Sequence, residues 1–182
     1  MGTQKLLLPF QGKTMIGKVI QNIADSEVDN TLVVVGSHRD DIINVIGRLD
    51  IGICFNENYK RGMLSSVKCG IRSLPASCEA VMIFPGDQPM IPAEAINTVI
   101  KAYMNSGKGI VIPTFQKKRG HPLLIDRKYF EEVEKLDENE GLRELAKIFI
   151  EDVFEVETDQ EGILKDIDTK EEYKEIIKYQ NF

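Results

Sequence analysis

The sequence predicts an α/β fold in which helices cover both faces of an open, doubly wound and mostly parallel sheet. Three observations predict it. Short β-branched runs almost free of polar groups recur along the chain, the pattern of strands buried on both faces. Helical periodicity fills the stretches between them, and strand–helix alternation implies right-handed crossovers. Finally, 182 residues with a hydrophobic share of 42% suit one domain with a substantial core.

In chain order, Gly12-Lys13-Thr14 forms a tight turn that opens a helix over Thr14–Ser26. It is not a phosphate-binding P-loop, because G-x-x-x-x-G-K-[ST] needs glycine at position 7, which is Leu7. Strands are expected at Thr31–Gly36, Ile51–Phe55, Ala80–Phe84 and Gly109–Pro113, and helices at Arg39–Leu49, Met63–Leu74 and Pro92–Ser106. Met63, Val67, Ile71 and Leu74 fall on one stripe of their helix. Pro92 suits a first turn, where its missing N–H costs nothing. Beyond Arg119 the pattern changes to an extended HPLLI, helices near Arg127–Leu136 and Gly141–Ile150, a strand at Val153–Val156 and a last helix from Thr169. No repeat, linker or low-complexity stretch interrupts this order, so residues 1–182 read as a single domain.

Composition removes several classes of function. No apolar run reaches the roughly 18 residues of a membrane span. Met1–Phe10 has Lys5 followed by only a short apolar patch, unlike a signal peptide. Cys54, Cys69 and Cys78 are scattered, odd in number and without a C-x-x-C pair, which argues against a disulfide framework and a zinc site. A reducing, cytoplasmic location is the expectation. Residues 1–130 carry 16 Lys and Arg against 11 Asp and Glu, while residues 131–182 carry 7 against 18. The basic residues are dispersed without an aromatic-basic stripe, so no nucleic-acid partner is expected. A small polyanion fits better, because Lys5, Lys13, Lys60, Arg61, Lys117, Lys118 and Arg119 all flank glycine turns.

Ligands of open α/β sheets sit beyond the carboxyl ends of the strands. Pro85-Gly86-Asp87-Gln88-Pro89 follows the strand at Ala80–Phe84 directly. Asp87 there either holds Mg²⁺, which takes one or two carboxylates plus substrate phosphates, or caps the helix beginning near Pro92. In Asp166-Ile167-Asp168-Thr169, alternation puts the two carboxylates on one face and Ile167 on the other. They complete a metal site, or Asp168 or Thr169 is an N-cap. His121 in Arg119-Gly120-His121-Pro122 is held extended by the proline, beside a glycine that allows close backbone approach. It is a ligand contact or a structural histidine. Gly62-Met63-Leu64-Ser65-Ser66 opens a helix with free N–H groups and two hydroxyls, an anion site or an ordinary cap. G-x-S-x-G, H-E-x-x-H and a Ser/His/Asp nucleophile order are all absent, which leaves hydrolase and metalloprotease chemistry without support.

Six segments taken in order, KLLLPFQGK (5–13), VVVGSH (33–38), NENYKRGMLSS (56–66), GDQP (86–89), RGHP (119–122) and DIDT (166–169), resemble the molybdenum cofactor cytidylyltransferases. These belong to a wider group of nucleotidyltransferases related to the molybdopterin guanylyltransferases. The resemblance spans nearly the whole chain. It implies a Rossmann-like three-layer sandwich of the nucleotide-diphospho-sugar transferase type and a Mg²⁺-dependent nucleotidyltransferase. CMP would pass from CTP to the phosphate of molybdenum-molybdopterin. The alternatives are GTP or another phosphorylated acceptor, or a non-catalytic molybdopterin-binding chaperone for a molybdenum hydroxylase. By resemblance, Lys5 and Asp87 are catalytic, and Gly2, Lys5, Asn56 and Gly86 bind nucleotide. Ser65, Ser66, Arg119 and His121 face the pterin substrate, and Asp87 with Asp168 binds the metal. The family opens with a strand and a loop of the form L-A-A-G-x-S-x-R-M-G, of which Met1-Gly2 match the last two letters. The domain is therefore expected to be truncated at its N-terminus relative to the family, leaving a strand missing between those at Thr31–Gly36 and Ala80–Phe84.

Overall fold

A computed structural model describes residues 5–47 and 49–180. Strand β1 (Pro9–Phe10) and strand β2 (Lys13–Thr14) pair as a two-residue hairpin. Its turn residues, Gln11 (φ 49°) and Gly12 (φ 76°), are both left-handed, as the tightest hairpins require. Thr14 then caps helix α1 (Met15–Ala24), its hydroxyl accepting from the Gly17 amide at 3.2 Å. The chain continues through β3 (Leu32–Val35), α2 (Arg39–Ile46), β4 (Gly52–Phe55) and α3 (Met63–Arg72). Next come β5 (Ala80–Ile83), α4 (Ala93–Ser106), β6 (Ile110–Phe115), β7 (Lys118–Arg119) and β8 (Leu123–Asp126). The last elements are α5 (Phe130–Lys135), α6 (Arg143–Ile148), β9 (Val153–Glu157) and α7 (Lys170–Gln180). Every long element expected from periodicity is present; most are shorter by a residue or more at an end, while β6 runs on to Phe115 and β9 to Glu157. The helix near Arg127–Leu136 begins with a 3₁₀ turn, Arg127–Tyr129.

The strands fall into two blocks. In the first, β3 and β4 run parallel, with Leu32 opposite Gly52 and Val35 opposite Phe55. The second is mixed: β8 runs antiparallel between β5 and β6, β9 lies parallel to β6, and β7 folds back on β6. Strands β5, β6 and β9 thus share one direction and β8 opposes them. Among the described residues no ladder joins β3 to β5.

Helices bridge that break on both faces. On one face α1 packs Ile16 and Ile20 with Val33 and Val35 of β3, and Val19 and Ile23 with Met82 of β5. On the other, α3 sets Leu64, Val67 and Ile71 in one cluster with Val81 and Ile83 of β5. Its Gly70 meets β3 so closely that a Cβ there would lie 3.1 Å from Val34 Cγ2. Helices α2 and α4 join the α1 side, and α5 and α6 join the α3 side. Strand β6 is buried on both faces from Ile110 to Thr114 as expected, whereas β3 from Leu32 to Val34 and all of β5 are only half-buried. An edge without a hydrogen-bonded neighbour lacks the lateral cover that a central strand receives. Helix α7 closes the molecule, with Tyr173, Ile176 and Ile177 against Phe10, Met15 and the wholly buried Ile167.

Candidate active site

The carboxyl ends of the strands gather the chemistry. Asp87 stands four residues beyond β5, in the turn Pro85–Gln88 closed by the Gln88 amide donating to the Pro85 carbonyl at 3.4 Å. From the far end of the chain, the Ile167 amide donates to the Asp87 carbonyl at 3.3 Å. That backbone bond sets DIDT against GDQP. Ile167 anchors the segment by burying its side chain, which leaves its neighbours Asp166 and Asp168 on the open face.

Thr169 resolves the capping alternatives. Its hydroxyl accepts from the Glu172 amide at 3.1 Å, and the Glu172 carboxylate accepts from the amides of Asp168 and Thr169 at 2.9 and 2.8 Å. This is a capping box at the start of α7, and it leaves the Asp168 carboxylate free of capping duty.

Lys5, in a 3₁₀ turn over Lys5–Leu7, occupies the space between the two carboxylates. Its Nζ lies 2.6 Å from Asp87 Oδ2 and 2.7 Å from Asp168 Oδ1. Burial by itself would lower the ammonium pKa, but the hydrogen bonds and charges of Asp168 and Asp87 outweigh it and raise the value. The same contact holds the Asp168 carboxyl below its ordinary range. Two carboxylates already converging on one cation form a donor set that fits a divalent metal, and the remaining coordination positions would fall to phosphate oxygens and water. No group of three or more His, Cys, Asp or Glu side chains that could hold a metal occurs among the described residues.

His121 is half-buried beside this centre. Burial lowers its pKa more than the charges of Asp87 and Asp166 raise it, and the Arg143 charge lowers it further. Its amide donates to the Ile163 carbonyl at 3.0 Å, and the His121–Pro122 peptide is cis. Arg119 points elsewhere, pairing with Glu155 of β9 at 2.6 Å. Asn56, Ser65 and Ser66 form a knot of their own. The Asn56 amide donates to both hydroxyls at 2.9 and 3.0 Å, and Ser65 donates back to the carbonyls of Gly62 and Asn58. Asn56 and Ser65 line a cleft of about 290 Å³ with Arg61, Lys68 and Arg72. Gly86 lies against Leu6 and Ile16. Gly2 lies outside the described residues.

Gln88 was not singled out by its sequence context. It is 5% exposed, and its Oε1 is buried without a hydrogen-bond donor. Only its place in the turn with Asp87 could have drawn attention to it.

A mixed sheet between helical layers, with a lysine and two carboxylates gathered at its carboxyl end, is an α/β architecture whose ligands sit at that edge. The MobA-like NTP transferase domain model matches residues 1–156, and the chain belongs to that family. It is a nucleotidyltransferase of this type. The molybdenum cofactor cytidylyltransferase of Escherichia coli K12 is 24% identical over 175 residues, covering 95% of this chain and 86% of the relative. A Methanosarcina acetivorans protein named "Probable molybdenum cofactor guanylyltransferase" is 25% identical over 166 residues, covering 86% and 72%. A Mycobacterium tuberculosis H37Rv protein, solved as a complex with manganese, superposes with a TM-score of 0.82 at 18% identity, covering 96% of this chain and 91% of that one. No helix among the described residues is long and apolar enough to cross a membrane.

Proposed function

We propose that this domain transfers CMP from CTP to the terminal phosphate of molybdenum-molybdopterin and releases pyrophosphate, with Mg²⁺ at Asp87 and Asp168. The observation that carries the reading is the convergence of Lys5, Asp87 and Asp168 within 2.7 Å contacts at the carboxyl end of the sheet. In phosphoryl-type transfer the protein mainly positions groups and stabilises charge. Lys5 neutralises negative charge on the triphosphate. Asp87 and Asp168, presented by two backbone-tied turns, hold the metal, which when bound acts as a Lewis acid on phosphate oxygens. The acceptor phosphate attacks the α-phosphorus and pyrophosphate leaves in line. His121 and the Ser65–Ser66 turn face the pterin half, which Arg119 reaches by leaving Glu155, while Asn56, Gly86 and Gly2 serve the nucleotide. Among the described residues no ladder joins the facing edges of β3 and β5, which supports a further element of the proposal: a strand between them, followed by a glycine-containing loop, completes the sheet and supplies amides to the phosphates.

The test is pyrophosphate release from CTP or GTP in the presence of Mg²⁺ and molybdenum-molybdopterin, using a chain that carries that strand and loop. Release with CTP that falls at least a hundredfold in Asp87→Asn, with the fold intact, supports the reading. Release with GTP alone makes it a guanylyltransferase, as the Methanosarcina relative's name suggests for that protein. Molybdopterin binding without any triphosphate binding would replace catalysis with the chaperone function.

A further inference from the structure

A divalent cation and the Lys5 ammonium cannot both occupy the space between Asp87 and Asp168. Nζ already makes 2.6 and 2.7 Å contacts to one oxygen of each carboxylate, the approach an ammonium makes to a full ion pair. A bound Mg²⁺ would need those oxygens at about 2.0–2.1 Å, and Mn²⁺ is a close stand-in for it. We propose that Lys5 is an exchangeable internal counter-ion: it holds the two carboxylates together in the metal-free protein, and metal entry releases it toward the substrate's phosphates. This rests on the metal site proposed above and adds a role for Lys5 before substrate arrives.

The surroundings suit an exchange better than a permanent salt bridge. The side chain of Lys5 is 22% exposed and that of Asp87 29%, so the ammonium is partly shielded, while Asp168 at 63% lies open to an incoming hydrated ion. The Asp87 and Asp168 backbones are held without Lys5, by the Ile167 amide bond to the Asp87 carbonyl and by the Glu172 capping box. Only the long, flexible side chain of Lys5 has to move. Two anions that close would repel each other if the site stood empty of cations. The lysine removes that repulsion and keeps the pair preorganised. Once displaced, its charge is free for phosphate oxygens at the same mouth, so one residue would serve two successive electrostatic duties.

The experiment compares Mn²⁺ binding, followed by electron paramagnetic resonance, in the full chain, Lys5→Met and Asp87→Asn. Lysine reactivity toward an amine-acetylating reagent is mapped alongside by mass spectrometry. Exchange predicts about tenfold tighter Mn²⁺ binding in Lys5→Met, because two partly exposed ion pairs no longer compete. In the unaltered chain, acetylation at Lys5 should rise several-fold when Mn²⁺ or Mg²⁺ is added, while Lys101 and Lys108 stay constant. Metal-free Lys5→Met should melt lower than the unaltered chain and recover more on adding Mn²⁺. Equal or weaker Mn²⁺ binding in Lys5→Met, with binding still lost in Asp87→Asn, would overturn the exchange and leave the metal site standing. Mn²⁺ binding that survives Asp87→Asn unchanged would overturn the metal site itself, and the exchange with it.

Discussion

Asp152 shows how one carboxylate can fasten several elements. It accepts from Lys128 Nζ at 2.8 Å, the Tyr129 hydroxyl at 2.6 Å and the Gly109 amide at 3.1 Å, linking the turn before β9 to the start of β6 and of α5. Burial alone would raise its pKa, but these donors and the Lys128 charge outweigh it and hold the carboxyl below its ordinary 3.8. A group depressed on folding adds stability that is present above the unfolded pKa and lost as pH falls through the folded one. Asp152→Asn should therefore be less stable at pH 7 by about 1 kcal/mol, a value discounted for partial exposure. The difference should shrink as pH drops below about 4. Urea unfolding at pH 7 and in acid checks this; a deficit independent of pH would mean that packing, not charge, is what Asp152 supplies. At the same scale, alternation around Ile167 was enough to put Asp166 and Asp168 on one face. The choice between cap and ligand was not readable there, because it turned on Glu172 reaching back to two amides.

Helices and strands with a clear period were readable from the sequence because their burial is local in origin: Thr14 caps α1 and the Ile-Val pattern of β6 is buried on both sides. What was not readable depends on partners far along the chain. The HPLLI segment looked extended, but nothing local says that β8 inserts antiparallel between β5 and β6. Gly162 is the sharpest case. A Cβ there would sit 2.0 Å from the Met90 carbonyl oxygen, so the segment leading to Asp168 passes the GDQP side of the sheet at backbone contact distance. Gly162→Ala must push the two segments apart. It should cost about 2 kcal/mol, a fall in Tm of roughly 4–8 °C, and weaken Mn²⁺ binding as Asp168 moves from Asp87. Calorimetry with a metal titration tests it; undiminished stability would mean that the segment has slack the close approach does not suggest.

Over the whole molecule, the two strand blocks share α1 and α3, and among the described residues no ladder joins them. Adding the proposed strand and loop should raise Tm by several degrees and create CTP binding, since each edge would gain a row of hydrogen bonds and the phosphates a set of amides. The chain of 182 residues should associate more readily, through its open edges, than the extended one. Melting, light scattering and CTP titration of the two chains side by side would decide, and equal behaviour would remove the strand from the proposal. The bond from Lys5 to Asp168 spans 163 positions of sequence, twice the 82 between Lys5 and Asp87. During synthesis, Lys5 and Asp87 therefore leave the ribosome long before their third member exists, and the carboxylate pair arrives only with the last tenth of the chain. In the finished protein the order should reverse: peeling away α7 and the Ile167 anchor should dismantle the pair before the sheet opens, and proton exchange at the Ile167 amide that is faster than at the β6 amides would show the centre coming apart first.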